Sequence, residues 1–317
     1  MKLAEIKPLH IQNYINQLDE DGKSPKTIRH YYGVLNSVLK YAFRMEMIDS
    51  NPCTRCVLPK LKQDSSLHFF NQEQAKKFLN VALDMKYTVS YKDRCRTADD
   101  GTVYMVNGYN SSHAIPFQFK VFFTLALYGG FRRGELIALT WNDIDEEECV
   151  ININKAASKT KGGQIIKEPK TPSAVRSVNV PSLCIEQLKE WKKEQRQLSL
   201  VLGTKWEGHR GKNFDQNHIF ITNTGRMMDV DTPTHKFKEI LELYNSCCEN
   251  EEDKLPMIRL HDLRHTTATL LLASGVDIET VSHRLGHSKA SITMDVYGHA
   301  IPEIDKTAAQ MLGNMLA

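Results

Sequence analysis

The feature that most constrains the fold is a change of pattern near Ser65. Ser24 is followed by a proline, as at many helix starts, and apolar residues then recur at the spacing of one helix face. Asn51 also precedes a proline, which disfavours helical geometry and ends this pattern. Around Ser65, lysines, serines and a proline replace this periodicity. We therefore expect a helical domain at 1–65, then a linker, then a second domain at 66–317.

The second domain mixes helix and strand patterns. "FFNQEQAKKFLNVAL" opens with Asn71 and Gln74 at capping-box spacing, and "PFQFKVFFTLALYGG" with the continuing "GELIALTWNDI" has helical periodicity. Alternating runs around "ADDG" predict a β-hairpin insertion at about 86–110, and "CVININ" and "RSVNVP" predict two further strands. A last apolar stripe predicts a helix at about 303–316. The expected class is mainly α with a small antiparallel β-sheet.

Composition indicates an ordinary globular chain. Of 317 residues, 41% are hydrophobic and 25% charged, and we find no apolar run near the ~20 residues that span a bilayer. The N-terminal "MKLAEIKPLH" lacks the apolar segment of a secretory signal, so we expect a cytoplasmic protein with reduced cysteines. Cys53 and Cys56 have metal-ligand spacing, but a single such pair is weak evidence, and we predict neither a metal site nor a cofactor.

Positive charge is concentrated in one stretch. The formal net charge is only +3, yet 155–176 holds six basic residues against one acidic residue, Glu168. Charge alone leaves two interpretations open, a solvated loop or a surface that contacts nucleic acid.

Four separated stretches carry side chains suited to phosphodiester chemistry. They are "GGFRRGEL", "EPKTPSAVR", "HDLRH" and "LGHSKASITMDVYGH". Arginine binds phosphate in a bidentate manner, and histidine, lysine and tyrosine can transfer protons or attack phosphorus. Each residue alone has an ordinary structural explanation, such as a surface ion pair, a solvated lysine or a packed ring. Together they form the candidate set Arg132, Lys170, His261, Arg264, His287 and Tyr297.

These stretches resemble the signature boxes of the tyrosine recombinases, or phage integrase family. Their order and spacing match, the "PKT…R" turn is similar to the family's β-hairpin lysine, and "SPKTIRHYYGVLNSVLKYAFRMEMIDSNP" looks like its helical core-binding domain. The resemblance covers nearly the whole chain and is nearest to the integrases of conjugative transposons. It implies a two-domain DNA clamp, in which the helical core-binding domain is joined to a mixed α/β catalytic domain.

The resemblance also implies a role for each candidate. Tyr297 would attack a scissile phosphate and leave a 3′-phosphotyrosine and a 5′-hydroxyl, a bond whose stored energy lets rejoining proceed without ATP. Arg132 and Arg264 would clamp the phosphate oxygens, Lys170 would protonate the departing 5′-oxygen, and His261 would accept the tyrosine proton. His287 would hydrogen-bond the phosphate and help to hold the site. For His299, a solvent-exposed capping role explains the residue at least as well as a catalytic role does.

Partners follow from the same resemblance. Double-stranded DNA at specific core sites is expected, with further copies of the chain, from dimer to tetramer, exchanging the 303–316 helix. That helix could instead pack on its own subunit. Accessory excision or bending proteins would be further partners, and no membrane is involved. Lys26 and Arg29 are expected to contact phosphates or base edges. Contacts to the DNA backbone are expected from Lys155, Lys159, Lys161 and Lys167.

Three alternatives remain open at this point. A Xer-type resolvase of chromosome or plasmid dimers would use the same chemistry, although the inserted hairpin weakens that assignment. A type IB topoisomerase-like enzyme would nick and reseal DNA without a site requirement. A DNA-binding module with an incidental site would form no covalent adduct.

Overall fold

The computed structural model describes residues 3–60, 68–168, 174–297 and 313, with the backbone alone at 4, 91, 292 and 295–297. The chain divides into two compact units, Met1–Ser66 and Leu67–Ala317, and the division lies next to the pattern change at Ser65.

The first unit is built on two helices. They are α1 (Pro8–Glu20) and α2 (Pro25–Arg44). The start of α2 is the one that the sequence predicts, because the Ser24 hydroxyl accepts a hydrogen bond from the Thr27 N–H at 3.2 Å and a proline follows. The core of the unit consists of aliphatic residues on facing sides of the helices and of one cysteine: Ile11, Ile15, Leu18, Ile28, Leu39 and Cys53.

The second unit is mostly helical in the part of the chain that the structure describes. Its helices are α3 (Gln72–Asn80), α4 (Phe117–Gly129), α5 (Arg133–Ala138), α6 (Ser182–Leu202), α7 (Thr232–Cys247), α8 (Asp262–Ala273), α9 (Ile278–Leu285) and α10 (Ala290–Tyr297). The predicted capping box opens α3, where Asn71 and Gln74 exchange hydrogen bonds of 2.8 and 3.0 Å. No described helix is both long enough and apolar enough to cross a bilayer.

Small antiparallel sheets complete this unit. The strands are β1 (Lys86–Tyr91), β2 (Arg94–Thr97), β3 (Val103–Val106), β4 (Tyr109–Ala114), β5 (Ile144–Asp145), β6 (Val150–Ile153), β7 (Ala156–Thr160), β8 (Gly163–Lys167) and β9 (Arg176–Asn179). β1 pairs with β4 and β2 with β3, so the segment around "ADDG" forms one long hairpin arm that ends at Ala114. The other pairings are β5–β6–β9 and β7–β8.

The structure corrects one sequence-based expectation and decides another point that was left open. The helical pattern in "GELIALTWNDI" ends at Ala138, because Thr140 and Asp143 cap a short 3-10 turn and β5 follows. The basic stretch, for which a loop was one open interpretation, forms the β7–β8 hairpin over most of its first half.

An aromatic cluster holds α3, α4 and α7 together. The ring of Phe78 lies 5.6 Å from Phe70, 6.0 Å from Phe123 and 5.3 Å from Phe237, measured between centroids. All of these rings are fully or almost fully buried. Because α4 is packed on nearly every side, the end of α4 is a rigid base for the turn that follows it.

Candidate active site

The turn after α4 positions Arg132. Gly130 adopts a left-handed conformation with φ 64°, which lets the chain reverse and start α5 three residues later. A Cβ at Gly130 would lie 2.7 Å from Leu285, so the end of α9 packs directly against the turn. The Arg132 guanidinium donates to Glu135 Oε1 at 2.8 Å and to the Gly286 carbonyl at 3.2 Å. Its side chain is 39% exposed, so it can reach an anion in solvent.

Arg264 approaches the same turn from α8. Its Nη1 donates to the Gly130 carbonyl at 2.8 Å and its Nη2 to the Leu285 carbonyl at 2.5 Å. The residue is 2% exposed, in contrast to Arg132. The two arginines, which are far apart in the sequence, therefore converge on the end of α9, and the backbone carbonyls of that segment hold them in place.

Two histidines lie beside these cations. His261 is at the start of α8, edge-to-face with His265 at 5.2 Å between ring centroids. Desolvation of the imidazole, followed by His265, Arg264 and Arg132, lowers the pKa of His261 to about 4. Burial and the positive charges of Arg264, Arg132 and a third arginine lower the pKa of His287 to about 4 as well. Both imidazoles are consequently neutral at pH 7.

Gly286 sets the position of His287. It ends α9 with φ 67°, and the N–H of His287 bonds back to the Ser282 carbonyl at 3.0 Å. The His287 Nδ1 then lies 2.8 Å from the hydroxyl of Thr293, which is fully buried in α10. The turn between α9 and α10 thus presents the imidazole toward the two arginines.

The remaining candidates are placed less completely. Tyr297 is the last residue of α10, and the structure describes its backbone but not its side chain. Lys170 lies outside the described residues, six positions before the start of β9. The helix expected at about 303–316 also lies outside them, apart from helical Gly313.

A buried ion pair, Arg176–Glu135, holds Arg132 in place. The sequence analysis did not assign this pair to the site. Arg176 Nη2 donates to Glu135 Oε2 at 2.8 Å and Arg176 Nη1 to Glu135 Oε1 at 3.1 Å. Arg176 Nε donates to the Arg284 carbonyl at 2.8 Å. Burial alone would raise the pKa of Glu135, but hydrogen bonds and charge from Arg176 and then Arg132 outweigh it and hold the pKa below its usual value.

The sequence did contain one signal for this pair. Arg176 pairs with Ile153 across the sheet and shares the inward face of β9 with Val178. A charged residue at an inward strand position requires a buried partner of opposite charge. Nothing in the local pattern identified Glu135 as that partner, because it precedes Arg176 by 41 residues.

The residues predicted to contact DNA differ in what surrounds them. Lys155 Nζ lies 2.7 Å from Asp143, which is itself buried, and Lys159 Nζ lies 2.9 Å from Asp231. In the first unit, the Arg29 guanidinium donates to the Pro59 carbonyl at 3.0 and 3.2 Å. The remaining three, Lys26, Lys161 and Lys167, are exposed.

Comparison with known proteins gives consistent matches. The model of the phage integrase family matches residues 105–303. A "Tyrosine recombinase XerC-like" protein of Caldanaerobacter subterraneus subsp. tengcongensis is 30% identical over 99% of this chain and 73% of its own length. The ICEBs1 integrase of Bacillus subtilis is 27% identical over 99% of this chain and 72% of its own. In fold, the Tn1549 transposon integrase in complex with transposon right end DNA is similar, with a TM-score of 0.74, 20% identity, and coverage of 99% of this chain and 87% of that one.

Proposed function

The chain belongs to the phage integrase family, the tyrosine recombinases, and we propose that it cuts and rejoins duplex DNA through a phosphotyrosine bond at Tyr297. One observation carries the assignment of the site: Arg132, Arg264 and His287 meet at the turn that ends α9, ten residues before that tyrosine. Two guanidinium groups and a neutral imidazole are hydrogen-bond donors for a group that has only acceptor oxygens, such as a phosphodiester.

The covalent step uses these groups in a balanced exchange. The Tyr297 oxygen forms a bond to phosphorus, the bond from phosphorus to the 5′-oxygen breaks, and the phenol proton passes to His261. Lys170 donates a proton to the departing 5′-oxygen. The reverse reaction, by the 5′-hydroxyl of a second strand, restores the phenol and joins the DNA without a nucleotide cofactor.

The electrostatics of His261 support its part in this step. An unperturbed phenol has a pKa near 10, so Tyr297 needs a base at neutral pH. The pKa of His261 is about 4 in the DNA-free protein, so its ring is neutral and has a nitrogen lone pair available. An incoming phosphate adds negative charge and raises the proton affinity of the imidazole at the moment when the proton is transferred.

The two arginines differ in how they would reach a phosphate. Arg132 is partly open to solvent, whereas Arg264 is 2% exposed and its guanidinium donates to the Gly130 and Leu285 carbonyls. Direct contact of Arg264 with DNA therefore requires the turn at 285–287 to shift, or a phosphate oxygen to replace a carbonyl as acceptor. Stabilisation of the transition state by both groups would then depend on this rearrangement.

The biological role is that of a mobile-element integrase. The chain is similar over nearly its whole length to ICEBs1 integrase and, in fold, to Tn1549 transposon integrase, which favours integration and excision of a conjugative transposon. Xer-type resolvases are also relatives and are the second candidate. Resolution of two tandem target sites on a plasmid, without transfer to a new replicon, would distinguish a resolvase from an integrase.

DNA and other copies of the chain are the proposed partners. Lys161 and Lys167 on β7–β8, and Lys26 on α2, are exposed and available to phosphates. Lys155 and Lys159 already pair with carboxylates and so have a role within the fold. Assembly as a tetramer through the 303–316 segment, accessory excision or bending proteins, and a cytoplasmic location belong to the same proposal.

The proposal is tested with suicide duplexes. Duplexes that bind the full chain are selected from a random-sequence pool and nicked so that the cleaved fragment diffuses away. Wild-type protein should accumulate a covalent adduct, visible as a band shift under denaturing conditions, and Tyr297→Phe should bind equally well without forming it. Tyr104→Phe, at an exposed tyrosine of β3, is the matched control and should behave as wild type. An adduct formed by Tyr297→Phe would contradict the proposal.

A further inference from the structure

Thr293 lies between the candidate imidazole and the candidate nucleophile in the sequence, and it contacts the imidazole. It lies in α10 with no exposed surface, and its hydroxyl is 2.8 Å from the Nδ1 of His287. Tyr297 follows it by four residues in the same helix, so the two residues share one helix face. A hydrogen bond therefore connects the helix that carries Tyr297 to the ring of His287.

The chemistry of a neutral imidazole makes this bond directional. With a pKa of about 4, the His287 ring has one protonated nitrogen and one nitrogen with a lone pair at pH 7. If the threonine hydroxyl donates to Nδ1, the proton is on Nε2, and Nε2 becomes a donor. If Nδ1 donates to the hydroxyl, Nε2 is an acceptor and repels the oxygens of a phosphate.

The surroundings favour the first arrangement. Burial and then the positive charges of Arg264, Arg132 and Arg176 lower the pKa of His287. Because these charges act on the ring, an anion is the group that this site attracts. A phosphate oxygen accepts hydrogen bonds and cannot donate them at neutral pH, so only an Nε2–H matches it. A threonine hydroxyl can donate, and its β-branched side chain has few rotamers in a helix, which fixes the position of the hydroxyl oxygen beside Nδ1.

We propose that Thr293 is a positioning residue for strand cleavage: its hydroxyl donates to Nδ1 of His287, keeps the ring proton on Nε2 for the scissile phosphate, and fixes the helix of Tyr297 relative to that ring. The inference rests on the proposed function, because it names how one group of the same site is oriented. Thr293 itself does not touch the reacting atoms. A purely structural role predicts instead that any side chain of this shape serves equally well.

Two substitutions distinguish a positioning role of the Thr293 hydroxyl from a purely structural role of the side chain. Thr293→Val keeps the shape and removes the hydroxyl, while Thr293→Ser keeps the hydroxyl and removes a methyl group. With the selected suicide duplex, Thr293→Val should lower the single-turnover cleavage rate by about 10-fold or more at unchanged duplex affinity, the effect expected from losing a hydrogen bond to a group that acts in the transition state. Thr293→Ser should stay within about 3-fold of wild type on the same reasoning.

A second readout is independent of catalysis. Nitrogen-15 spectra of histidine-labelled protein without DNA report which ring nitrogen is protonated, and His287→Gln assigns the signals. We expect the Nε2–H form in wild type and Thr293→Ser, and a mixture of both forms in Thr293→Val. An Nδ1–H form in wild type, or wild-type cleavage by Thr293→Val, would overturn the inference. Absence of an adduct with wild-type protein would count against the proposed function instead, and the spectra would still decide the role of Thr293.

Discussion

Replacing Glu135 by glutamine removes the carboxylate that connects Arg132 to Arg176. Glu135 is 4% exposed and accepts hydrogen bonds from the Arg132 N–H and guanidinium and from both terminal nitrogens of Arg176. The side chain of Arg176 is fully buried. The substitution leaves that guanidinium charged, away from water and without its counter-ion, and it places an amide NH₂ among N–H donors.

The size of the effect follows from the burial of the pair. Breaking a buried ion pair by removing one partner costs about 3–5 kcal/mol in the free energy of unfolding. For a unit of this size, each kcal/mol shifts Tm by about 2–4 °C, so Glu135→Gln should lower Tm by about 6–20 °C. The exposed Glu186→Gln on α6 is the matched control and should change stability by no more than about 0.5 kcal/mol.

Thermal unfolding followed by circular dichroism, as a function of pH, measures this effect. The pKa of folded Glu135 is below its ordinary value, so its contribution is present above the unfolded carboxyl pKa and is lost as pH falls through the folded pKa. The difference between wild type and Glu135→Gln should therefore shrink in acid. Adding Arg176→Met should recover part of the stability, because both buried charges are then gone. A loss of Tm below about 2 °C at pH 7 would refute the reasoning.

Three further predictions follow from the same structure. The pKa values of His261 and His287 are lowered to about 4, so the Tm of the wild-type protein should fall as pH drops from about 6.5 toward 4. The Tm of the double variant His261→Gln/His287→Gln should fall less over the same pH range, and an equal fall in Tm would contradict this. Lys167→Ala should reduce the salt dependence of duplex binding by about one ion, whereas Lys155→Ala, at a lysine paired with a buried carboxylate, should not, as salt titrations will show. Gly286→Ala should lower the free energy of unfolding in urea by about 1–3 kcal/mol, because φ is 67° and the new Cβ would lie 2.8 Å from the buried guanidinium of Arg176. An unchanged urea midpoint of unfolding would contradict this.

Features that depend on neighbouring residues were predictable from the sequence. The start of α2 at Ser24, the capping box at Asn71 and the glycine at the end of α9 all depend on hydrogen bonds within a few residues, and the structure has each of them. The strands that flank the basic stretch were predictable because their side chains alternate between buried and exposed faces.

Features that depend on distant residues were not predictable from the sequence. The Arg176–Glu135 pair joins β9 to α5, and its partners are not related by any helical or strand period. The helix at "GELIALTWNDI" was predicted too long because Thr140 and Asp143 compete for the backbone with their own side chains. Thr293 was overlooked because a threonine in a polar helix is unremarkable until its buried contact with His287 is known.

The central claim is that DNA becomes joined to the oxygen of Tyr297, and peptide mapping of the covalent adduct tests it most directly. Wild-type protein is trapped on the nicked duplex, digested with nuclease and trypsin, and analysed by tandem mass spectrometry. We predict a phosphonucleotide on the tryptic peptide 290–306, located at Tyr297 by fragment ions. A phosphonucleotide on any other residue, Thr293 included, would contradict the account.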